Sequence, residues 1–382
     1  MLGLVLEGGG AKGAFHIGAL KALFERGFQF SGVAGTSIGA LNGAMVAQGD
    51  FEKCYDFWKT VTPSTLLEID DEKIASIFND EKIQIKEIPY FIGLAKSAIS
   101  NKGISIERLE DIVNQLIDED KIRESTIDFG VITVDISSDW LPIEIFKDQM
   151  PTGMLKKYVL ASAYYPAFRR PRIDGRSFID GGIYDNCPVN PLIRRGGYKR
   201  IIVISTLSKM PAHQVADKSI KIDYITPSKS LGNTLDLRNK NILENLKLGY
   251  YDAIRYLDKL RGEKYYFTNV NSSYIYNLIE SQSPEFFIEL SNLFNEKGNK
   301  KALTGRLFKE MKGFLKSDKA LEDADVFLKT LEILTDEKKI EKFKIYTIES
   351  FLKEMQISYK YKKNPNNQVA QAIQLLINTY RS

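Results

Sequence analysis

The chain of 382 residues carries 53 basic and 49 acidic side chains and is 43% hydrophobic, so it can bury the core of one large domain or two. A formal net charge of +4 gives no indication of nucleic-acid binding. No apolar run approaches the roughly 18 residues of a membrane span, and the amino terminus lacks the basic segment and cleavage site of a signal peptide. We therefore expect a cytoplasmic protein. Two cysteines, Cys54 and Cys187, are too few for a disulfide framework, show no metal-ligand spacing and are expected to be buried.

The first part of the chain, residues 1 to about 235, alternates short β-branched runs with helical patterns. This alternation predicts an α/β sheet with helices on both faces. The charged stretch 63–125 falls between the second and third strands and is interpreted as a cap over one end of the sheet. Strands are predicted at residues 3–6, 31–36, 129–136, 141–148, 176–180 and 200–205.

The second part of the chain lacks this alternation. A long helical pattern at 235–260 leads into amphipathic segments from about residue 270 onwards. One of these begins with Ser283 as a helix cap and Pro284 at the first helical position. We therefore predict an α/β domain over residues 1–260 and an all-helical region over residues 261–382, to which no chemistry is assigned.

A glycine-rich turn follows the first predicted strand. Gly8, Gly10 and Gly13 have the G-x-G-x-x-G spacing of a dinucleotide-binding loop. A nicotinamide site would also need an acidic residue at the end of the second strand, and a phosphate-binding Walker loop would need Lys and Ser or Thr after its last glycine. Neither is present, because the second strand ends in GTSIG and Gly13 is followed by Ala-Phe.

The second predicted strand ends instead in the G-x-S-x-G pattern of a nucleophile elbow. Gly35 and Gly39 would relieve crowding in a tight strand-to-helix turn that exposes Ser37 at a helix amino terminus. Because the loops after neighbouring parallel strands meet at one edge of a sheet, Ser37 and the glycine loop should face one crevice. Backbone amides of residues 9–11 are then candidates for an oxyanion hole. The alternative is that these glycines only allow close packing of helix against sheet.

A nucleophilic serine needs a base, and the chain has only two histidines. His16 lies within the first helical pattern and is expected to pack there. His213 would complete the Ser, Asp, His order of an α/β-hydrolase triad. Asp180 is the stronger candidate, because it stands at a strand end before two glycines and a site that excludes water would raise its pKa. Asp180 could alternatively be a turn residue that caps local amides.

The chain resembles the patatin-like phospholipases, serine acyl hydrolases with a Ser-Asp dyad, in four motifs found in the same order. They are GGGAKG at 8–13, GTSIG at 35–39, the A-S-x-x-x-P block at 161–166 and D-G-G at 180–182. The resemblance covers about residues 1–260 and implies a three-layer sandwich around a mostly parallel sheet. It implies that Ser37 is the nucleophile and that Asp180 accepts its proton. It assigns the oxyanion hole to Gly8, Gly9, Gly10, Ala11, Lys12 and Gly13, and turn positions to Gly35, Gly39, Gly181 and Gly182.

A protein of this kind would cleave ester bonds of phospholipids or other acyl lipids through an acyl-enzyme, without a metal or cofactor. Its substrate would be a lipid or long-chain ester, of a headgroup and chain length that the motifs do not specify. Two alternatives remain. One is an esterase with a triad of Ser37, Asp180 and His213, and the other is a non-catalytic, nucleotide-binding α/β module.

A cluster of aromatic residues and arginines precedes the strand of Asp180. Aromatic rings at headgroup level beside arginines would suit peripheral contact with a membrane. A core-packed aromatic set beside a solvated run of charge would account for the same pattern. The residues concerned are Tyr164, Tyr165, Phe168, Arg169, Arg170 and Arg172.

Overall fold

The computed structural model describes residues 1–66, 105–165, 168, 171–207, 215–316, 321–335, 339–359 and 367–380. The chain divides into two units, Met1–Ala253 and Ile254–Ser382, and the boundary falls inside a long helix. Residues 67–104, which make up most of the stretch interpreted as a cap, lie outside the described residues.

The amino-terminal unit is built on one seven-stranded sheet. Its strands are β1 (Leu2–Leu6), β2 (Gly32–Thr36), β3 (Asp128–Asp135), β4 (Leu141–Phe146), β5 (Phe178–Asp180), β6 (Arg200–Ile204) and β7 (Lys221–Ile225). The strand order is β4-β3-β2-β1-β6-β7, and β5 pairs with β3. Strands β3, β2, β1, β6 and β7 are parallel to their neighbours in this order, whereas β4 and β5 run antiparallel to β3. The predicted mostly parallel sheet is therefore confirmed.

Helices cover both faces of this sheet. On one face, Val5 and Ala34 share a hydrophobic cluster with Leu192. On the other, a Cβ at Gly43 would lie only 3.0 Å from Val33. Successive residues of a strand point to opposite faces, so Val33 and Ala34 contact different helical layers. The described helices of this unit are α1 (Gly13–Glu25), α2 (Ile38–Ala47), α3 (Phe51–Thr60), α4 (Pro63–Leu66), α5 (Glu107–Leu116), α6 (Glu119–Glu124), α7 (Leu155–Ser162), α8 (Val189–Arg195) and α9 (Asn239–Asp258), which continues into the second unit.

The edge strand β7 was not predicted from the sequence. It has one neighbour, β6, and only its last residue, Ile225, is fully buried. Its Asp223 pairs with Arg200 of β6 at 2.6 Å. A half-exposed strand with charged residues on one side does not show the apolar run by which the buried strands were recognised.

The unequal lengths of β2 and β3 position the site. β2 pairs with the first five residues of β3, so that Thr36 lies opposite Ile132. β4 occupies the other edge of β3 over Gly130–Asp135. The remaining edge of β3 beyond β2 is therefore left to β5, which runs towards the end of β2 and places Asp180 opposite Thr133. The ends of β2 and β5 thus meet one residue apart along β3, although they are distant in sequence.

The carboxy-terminal unit is mainly helical, whereas an all-helical region was predicted. The cap at Ser283 is confirmed, because its hydroxyl accepts the N–H of Phe286 at 3.4 Å and Pro284 occupies the first turn. A short parallel sheet of β8 (Tyr266–Phe267) and β9 (Ile345–Tyr346) is also present, whose two-residue strands are too short to give a sequence pattern. The described helices are α10 (Ser272–Glu280), α11 (Pro284–Phe294), α12 (Lys300–Leu315), α13 (Asp323–Leu334), α14 (Ile348–Tyr359) and α15 (Gln368–Thr379).

Both cysteines are buried, at 0% and 1% exposure for Cys54 and Cys187, and burial raises the pKa of each thiol. Across the described ranges, no helix is both long and apolar enough to cross a bilayer. Nor do these ranges contain a group of three or more His, Cys, Asp or Glu side chains placed to hold a metal ion.

Candidate active site

Ser37 lies in a sharp turn between β2 and α2. Its backbone has φ 56° and ψ −125°, a combination that residues other than glycine rarely adopt. The turn is so tight that a Cβ at Gly35 would lie 2.2 Å from the carbonyl oxygen of Gly39. A Cβ at Gly39 would lie 2.1 Å from the carbonyl oxygen of Leu6. Close backbone contacts therefore account for glycine at both positions of the elbow.

The side chains of Ser37 and Asp180 are in direct contact. The Ser37 hydroxyl donates a hydrogen bond of 2.7 Å to Oδ2 of Asp180, and the N–H of Gly182 donates one of 2.7 Å to Oδ1. Asp180 is 8% exposed. Burial raises the pKa of its carboxyl group above the usual value, and the two hydrogen bonds oppose this rise. A buried carboxylate with a raised pKa, in contact with a hydroxyl, is suited to accept its proton.

The two glycines after Asp180 also meet close neighbours. A Cβ at Gly181 would lie 2.2 Å from the carbonyl oxygen of Ile132, and one at Gly182 would lie 2.7 Å from Oδ1 of Asn186. The amide of Asp180 itself donates to the carbonyl of Tyr164 at 3.0 Å. The turn after β5 is thereby held against β3.

Ser162 holds the backbone of Ser37, a contact that the sequence did not reveal. The N–H of Ser37 donates a hydrogen bond of 2.8 Å to the hydroxyl oxygen of Ser162, which is fully buried at the end of α7. Ser162 belongs to the A-S-x-x-x-P block, so a motif marked the position without indicating its partner. Pro166, which ends that block, lies outside the described residues.

The glycine loop presents two free amides to the same crevice. The amides of Gly9 and Gly10 have no hydrogen-bond partner within the described part of the chain, and both residues line the pocket that contains Ser37. The oxyanion-hole prediction covered the whole loop from Gly8 to Gly13. The other four amides are occupied, by the carbonyl oxygens of Asn186 (for Gly8, 2.9 Å), Thr234 (for Ala11, 2.8 Å), Gly9 (for Lys12, 3.2 Å) and Gly10 and Ala11 (for Gly13).

Ala11 therefore has to be removed from the candidate oxyanion donors. Its N–H points to a carbonyl of a loop more than two hundred residues later in the chain, which no local pattern could indicate. The same contact fixes Gly10, whose φ is +57° and where a Cβ would lie 2.3 Å from the Thr234 carbonyl oxygen. The remaining candidate oxyanion donors of the loop are the amides of Gly9 and Gly10.

A buried carboxylate anchors the start of the glycine loop. Glu7 is 2% exposed, and its Oε2 accepts the N–H of Thr206 at 2.7 Å and the hydroxyl of Ser205. Its Oε1 lies 3.4 Å from the side-chain amide nitrogen of Asn186. Thr206 in turn donates its hydroxyl to the carbonyl of Gly8 at 2.7 Å. Glu7, Asn186 and Thr206 thus join three loops at the carboxyl edge of the sheet, and none was selected from the sequence.

Ser37, Asp180 and the two free amides open into a pocket of about 450 Å³. Apart from these groups, its wall is mainly apolar, as is usual for a site that takes an apolar ligand. Lys12 is the only cationic side chain among the described residues that line it. The apolar lining consists of Ile38, Leu109, Ala163, Tyr165, Phe168, Ile183, Leu207, Leu235 and Leu237.

The histidines are not part of this pocket as described. His16 is fully buried in α1, with Nδ1 at 3.4 Å from the side-chain nitrogen of Asn42, and burial lowers its pKa to about 3. His16 therefore packs in the helix layer, as expected. His213 lies outside the described residues.

The proposed aromatic patch at headgroup level is not supported for two of its members. Tyr164 is only 1% exposed and Phe168 is 9% exposed, so their rings belong to the core and the pocket wall. Tyr165 lines the pocket and is 43% exposed. Arg172 is exposed, whereas Arg169 and Arg170 lie outside the described residues.

Comparison with known proteins gives a consistent family. The family model for patatin-like phospholipase matches residues 4–193. An uncharacterized NTE family protein of Mycobacterium bovis is 28% identical over 193 residues, which are 50% of this chain and 44% of that protein. A patatin-like phospholipase domain-containing protein of Caenorhabditis elegans is 30% identical over 274 residues, which are 69% of this chain and 18% of that protein.

This chain spans less than half the length of either relative. Among solved structures, VipD from Legionella pneumophila aligns with a TM-score of 0.40 and 17% identity, over 99% of this chain and 85% of that one. All four motifs from which the site was predicted lie within the residues that match the family model. Through residues 4–193, about half of its length, the chain belongs to the patatin-like phospholipase family.

Proposed function

We propose that this chain is a serine lipid acyl hydrolase that cleaves carboxylic esters with a dyad of Ser37 and Asp180. The observation that carries the proposal is the 2.7 Å hydrogen bond between the Ser37 hydroxyl and a buried Asp180 carboxylate. Two further features support it: the strained backbone of Ser37, and the mainly apolar pocket that the pair faces. Strained backbone persists where the surrounding structure imposes it, most often at functional sites.

In the acylation step, Oγ of Ser37 attacks the carbonyl carbon of the ester while its proton passes to Oδ2 of Asp180. The carbonyl oxygen becomes an oxyanion, which accepts hydrogen bonds from the amides of Gly9 and Gly10. The amino terminus of α2, next to Ser37, adds the positive end of its dipole. When the tetrahedral intermediate collapses, the alcohol leaves with the proton from Asp180 and the acyl group remains on Ser37.

In the deacylation step, water attacks the acyl-enzyme and gives its proton to Asp180. The oxyanion forms again at the same two amides and then collapses, which expels Oγ of Ser37. Asp180 returns the proton to Ser37, and the fatty acid is released. The dyad is thereby restored, and no group besides water and the ester is consumed.

A triad with His213 is less consistent with this geometry. In a triad the imidazole stands between the serine and the carboxylate and contacts both. Here the carboxylate contacts the serine directly, and its second oxygen is occupied by the amide of Gly182. There is no position between Ser37 and Asp180 for an imidazole ring.

A nucleotide-binding role is disfavoured by the occupancy of the glycine loop. A phosphate cradle relies on several convergent backbone amides. In the described chain the loop offers two, and the adjoining wall is mainly leucine, isoleucine and aromatic side chains. An ester with a long acyl chain fits such a wall better than a charged phosphate does.

The test combines a fluorophosphonate probe with hydrolysis of a long-chain p-nitrophenyl ester. Ser37→Ala and Asp180→Asn should each lower turnover by at least about 10³-fold, and Ser37→Ala should abolish labelling. Ser31→Ala is the matched control, since Ser31 lies at the opposite end of β2 and does not line the pocket. Full turnover in Ser37→Ala would refute the proposal. Loss of turnover in His213→Ala, with Asp180→Asn unaffected, would refute the dyad.

A further inference from the structure

One wall of the pocket comes from outside the residues that match the family. Residues 226–238, here called the strap, connect β7 to α9, whereas the family match ends at residue 193. The strap contributes Thr234, Leu235 and Leu237 to the pocket lining. The chemistry of the site and this part of its shape thus come from different parts of the chain.

The strap lies directly against the glycine loop. The carbonyl oxygen of Thr234 accepts the N–H of Ala11 at 2.8 Å, and it sits 2.3 Å from the position that a Cβ on Gly10 would occupy. An ester oxygen held by the free amides of Gly9 and Gly10 therefore has the strap beside it. The apolar side chains that follow Thr234 line the same pocket and are available to the chain attached to that carbonyl.

The strap is held in place by α9 and by its own ion pair. Asn245, which is 2% exposed, donates to the carbonyl of Leu231 at 3.0 Å. Asn241 donates to the carbonyl of Asp236 at 3.1 Å, and the guanidinium of Arg238 binds the carboxylate of Asp236 at 2.7 Å. A loop fixed at several points keeps its side chains in one place, which is what a selective pocket wall requires.

Two leucines of the strap differ in how far they can be altered. Leu237 is 3% exposed and contributes to the core as well as to the pocket. Leu235 lines the pocket but is 40% exposed, so a larger side chain can be accommodated there and would still project into the pocket. Of these two leucines, Leu235 is therefore the one whose replacement can change the pocket shape with less effect on stability.

We propose that Leu235, supported by Leu237, determines the acyl-chain preference of the enzyme by forming the wall along which the acyl chain lies. This inference rests on the proposed ester hydrolase function. A methylene that loses burial costs about 0.8 kcal/mol, which is about a fourfold loss in kcat/KM. A bulkier or more polar residue at position 235 should thus penalise long acyl chains and spare short ones.

The experiment measures kcat/KM on p-nitrophenyl esters from butyrate to palmitate, which share one leaving group. Leu235→Trp should lower the ratio of kcat/KM for laurate and longer esters to kcat/KM for butyrate by roughly 15- to 60-fold if two to three methylenes are displaced. Leu235→Gln should act in the same direction without added bulk. Leu243→Trp is the matched control, because Leu243 is 38% exposed on α9 but does not line the pocket.

The outcomes separate this inference from the function on which it rests. No Ser37-dependent hydrolysis of any ester by the unaltered protein would refute the proposed function. An active protein whose chain-length profile is the same in Leu235→Trp, Leu235→Gln and the unaltered chain would overturn the role of Leu235 alone. The role would also be overturned if Leu243→Trp changed the profile equally.

Discussion

Replacing Gly9 with alanine should disable the oxyanion site without altering either member of the dyad. The new Cβ would lie 2.8 Å from Oγ1 of Thr206 and 3.0 Å from both its Cβ and its Cγ2. Thr206 cannot yield easily, because its hydroxyl binds the carbonyl of Gly8 at 2.7 Å and its N–H binds Glu7 at 2.7 Å. The glycine loop therefore has to move, and it carries the amide of Gly9 with it.

The size of the effect follows from the number of donors involved. Relief of the contact requires a shift of about half an ångström, and catalytic groups must be held to within about that tolerance. Only two loop amides are free in the described structure, so displacement of one removes half of the loop's donors. Loss of one oxyanion donor costs about 2.7 to 4 kcal/mol, which is about 10²- to 10³-fold in kcat.

The assay is steady-state hydrolysis of p-nitrophenyl laurate, with urea unfolding to establish that the variant is folded. Gly305→Ala is the control for the substitution itself, because Gly305 lies in α12 and has open space where a Cβ would be placed. The control should retain kcat within about twofold, since a helical glycine replaced by alanine is not destabilising. A folded Gly9→Ala variant with kcat within about threefold of the unaltered protein would show that the Gly9 amide is not an oxyanion donor.

Three other perturbations test the site and its surroundings. Asp180→Asn, which should lose the turnover stated above, should raise the free energy of unfolding at pH 7. The pKa of Asp180 is raised in the folded state, so the folded state loses stability as pH rises through the ionisation of this carboxyl. Equal or lower stability in a urea titration would contradict the direction of the shift. Because the pKa of Asp180 is raised, kcat of the unaltered protein should decline on acidification with a midpoint above the usual aspartate pKa. Ser162→Ala removes the hydroxyl that accepts the Ser37 N–H at 2.8 Å. The free energy of unfolding should therefore drop by about 1–3 kcal/mol, and kcat should fall at nearly constant KM. An unchanged kcat would limit Ser162 to a packing role. His16 is neutral when folded, because burial lowers its pKa to about 3, while in the unfolded chain it binds a proton below its ordinary pKa. The contribution of His16 to stability should therefore be about 2 kcal/mol lower at pH 5 than at pH 8, so the unaltered protein should lose about that much more stability than His16→Gln over this range; equal losses would contradict the shift.

Local patterns identified the parts of the site that are local in sequence. The glycine loop and the elbow at Ser37 each follow a buried strand within a few residues, and the crowding at the elbow comes from Gly39 in the same turn and from Leu6 on the adjacent strand. Asp180 was selected from its two following glycines, but its contact with Ser37 spans 143 residues and depends on the free edge of β3. No short window of sequence contains that information.

The features that the sequence missed belong to loops without a motif. Thr206 and the strap reach the pocket from beyond the matched family residues, and only the packed sheet brings them to the glycine loop. The same tertiary contact corrected the assignment of Ala11, whose amide would be free if the loop were considered in isolation. Tyr164 lies in a cluster of aromatic residues and arginines whose sequence was compatible with both an exposed surface and core packing; its ring is 1% exposed, which agrees with core packing.

Because Ser37 follows β2 and Asp180 ends β5, the proposed dyad depends on the register of both strands along β3. Side chains alternate between the two faces of a strand, so a slip of β5 by a single residue against β3 would turn the carboxylate of Asp180 to the opposite face of the sheet. Three ladder positions, Thr133 to Asp135, fix that alignment. Misfolded or partly assembled chains with Ser37 already in its elbow would then lack a proton acceptor. Under the proposed mechanism, the sheet cannot provide both members of the dyad until β5 has paired with β3.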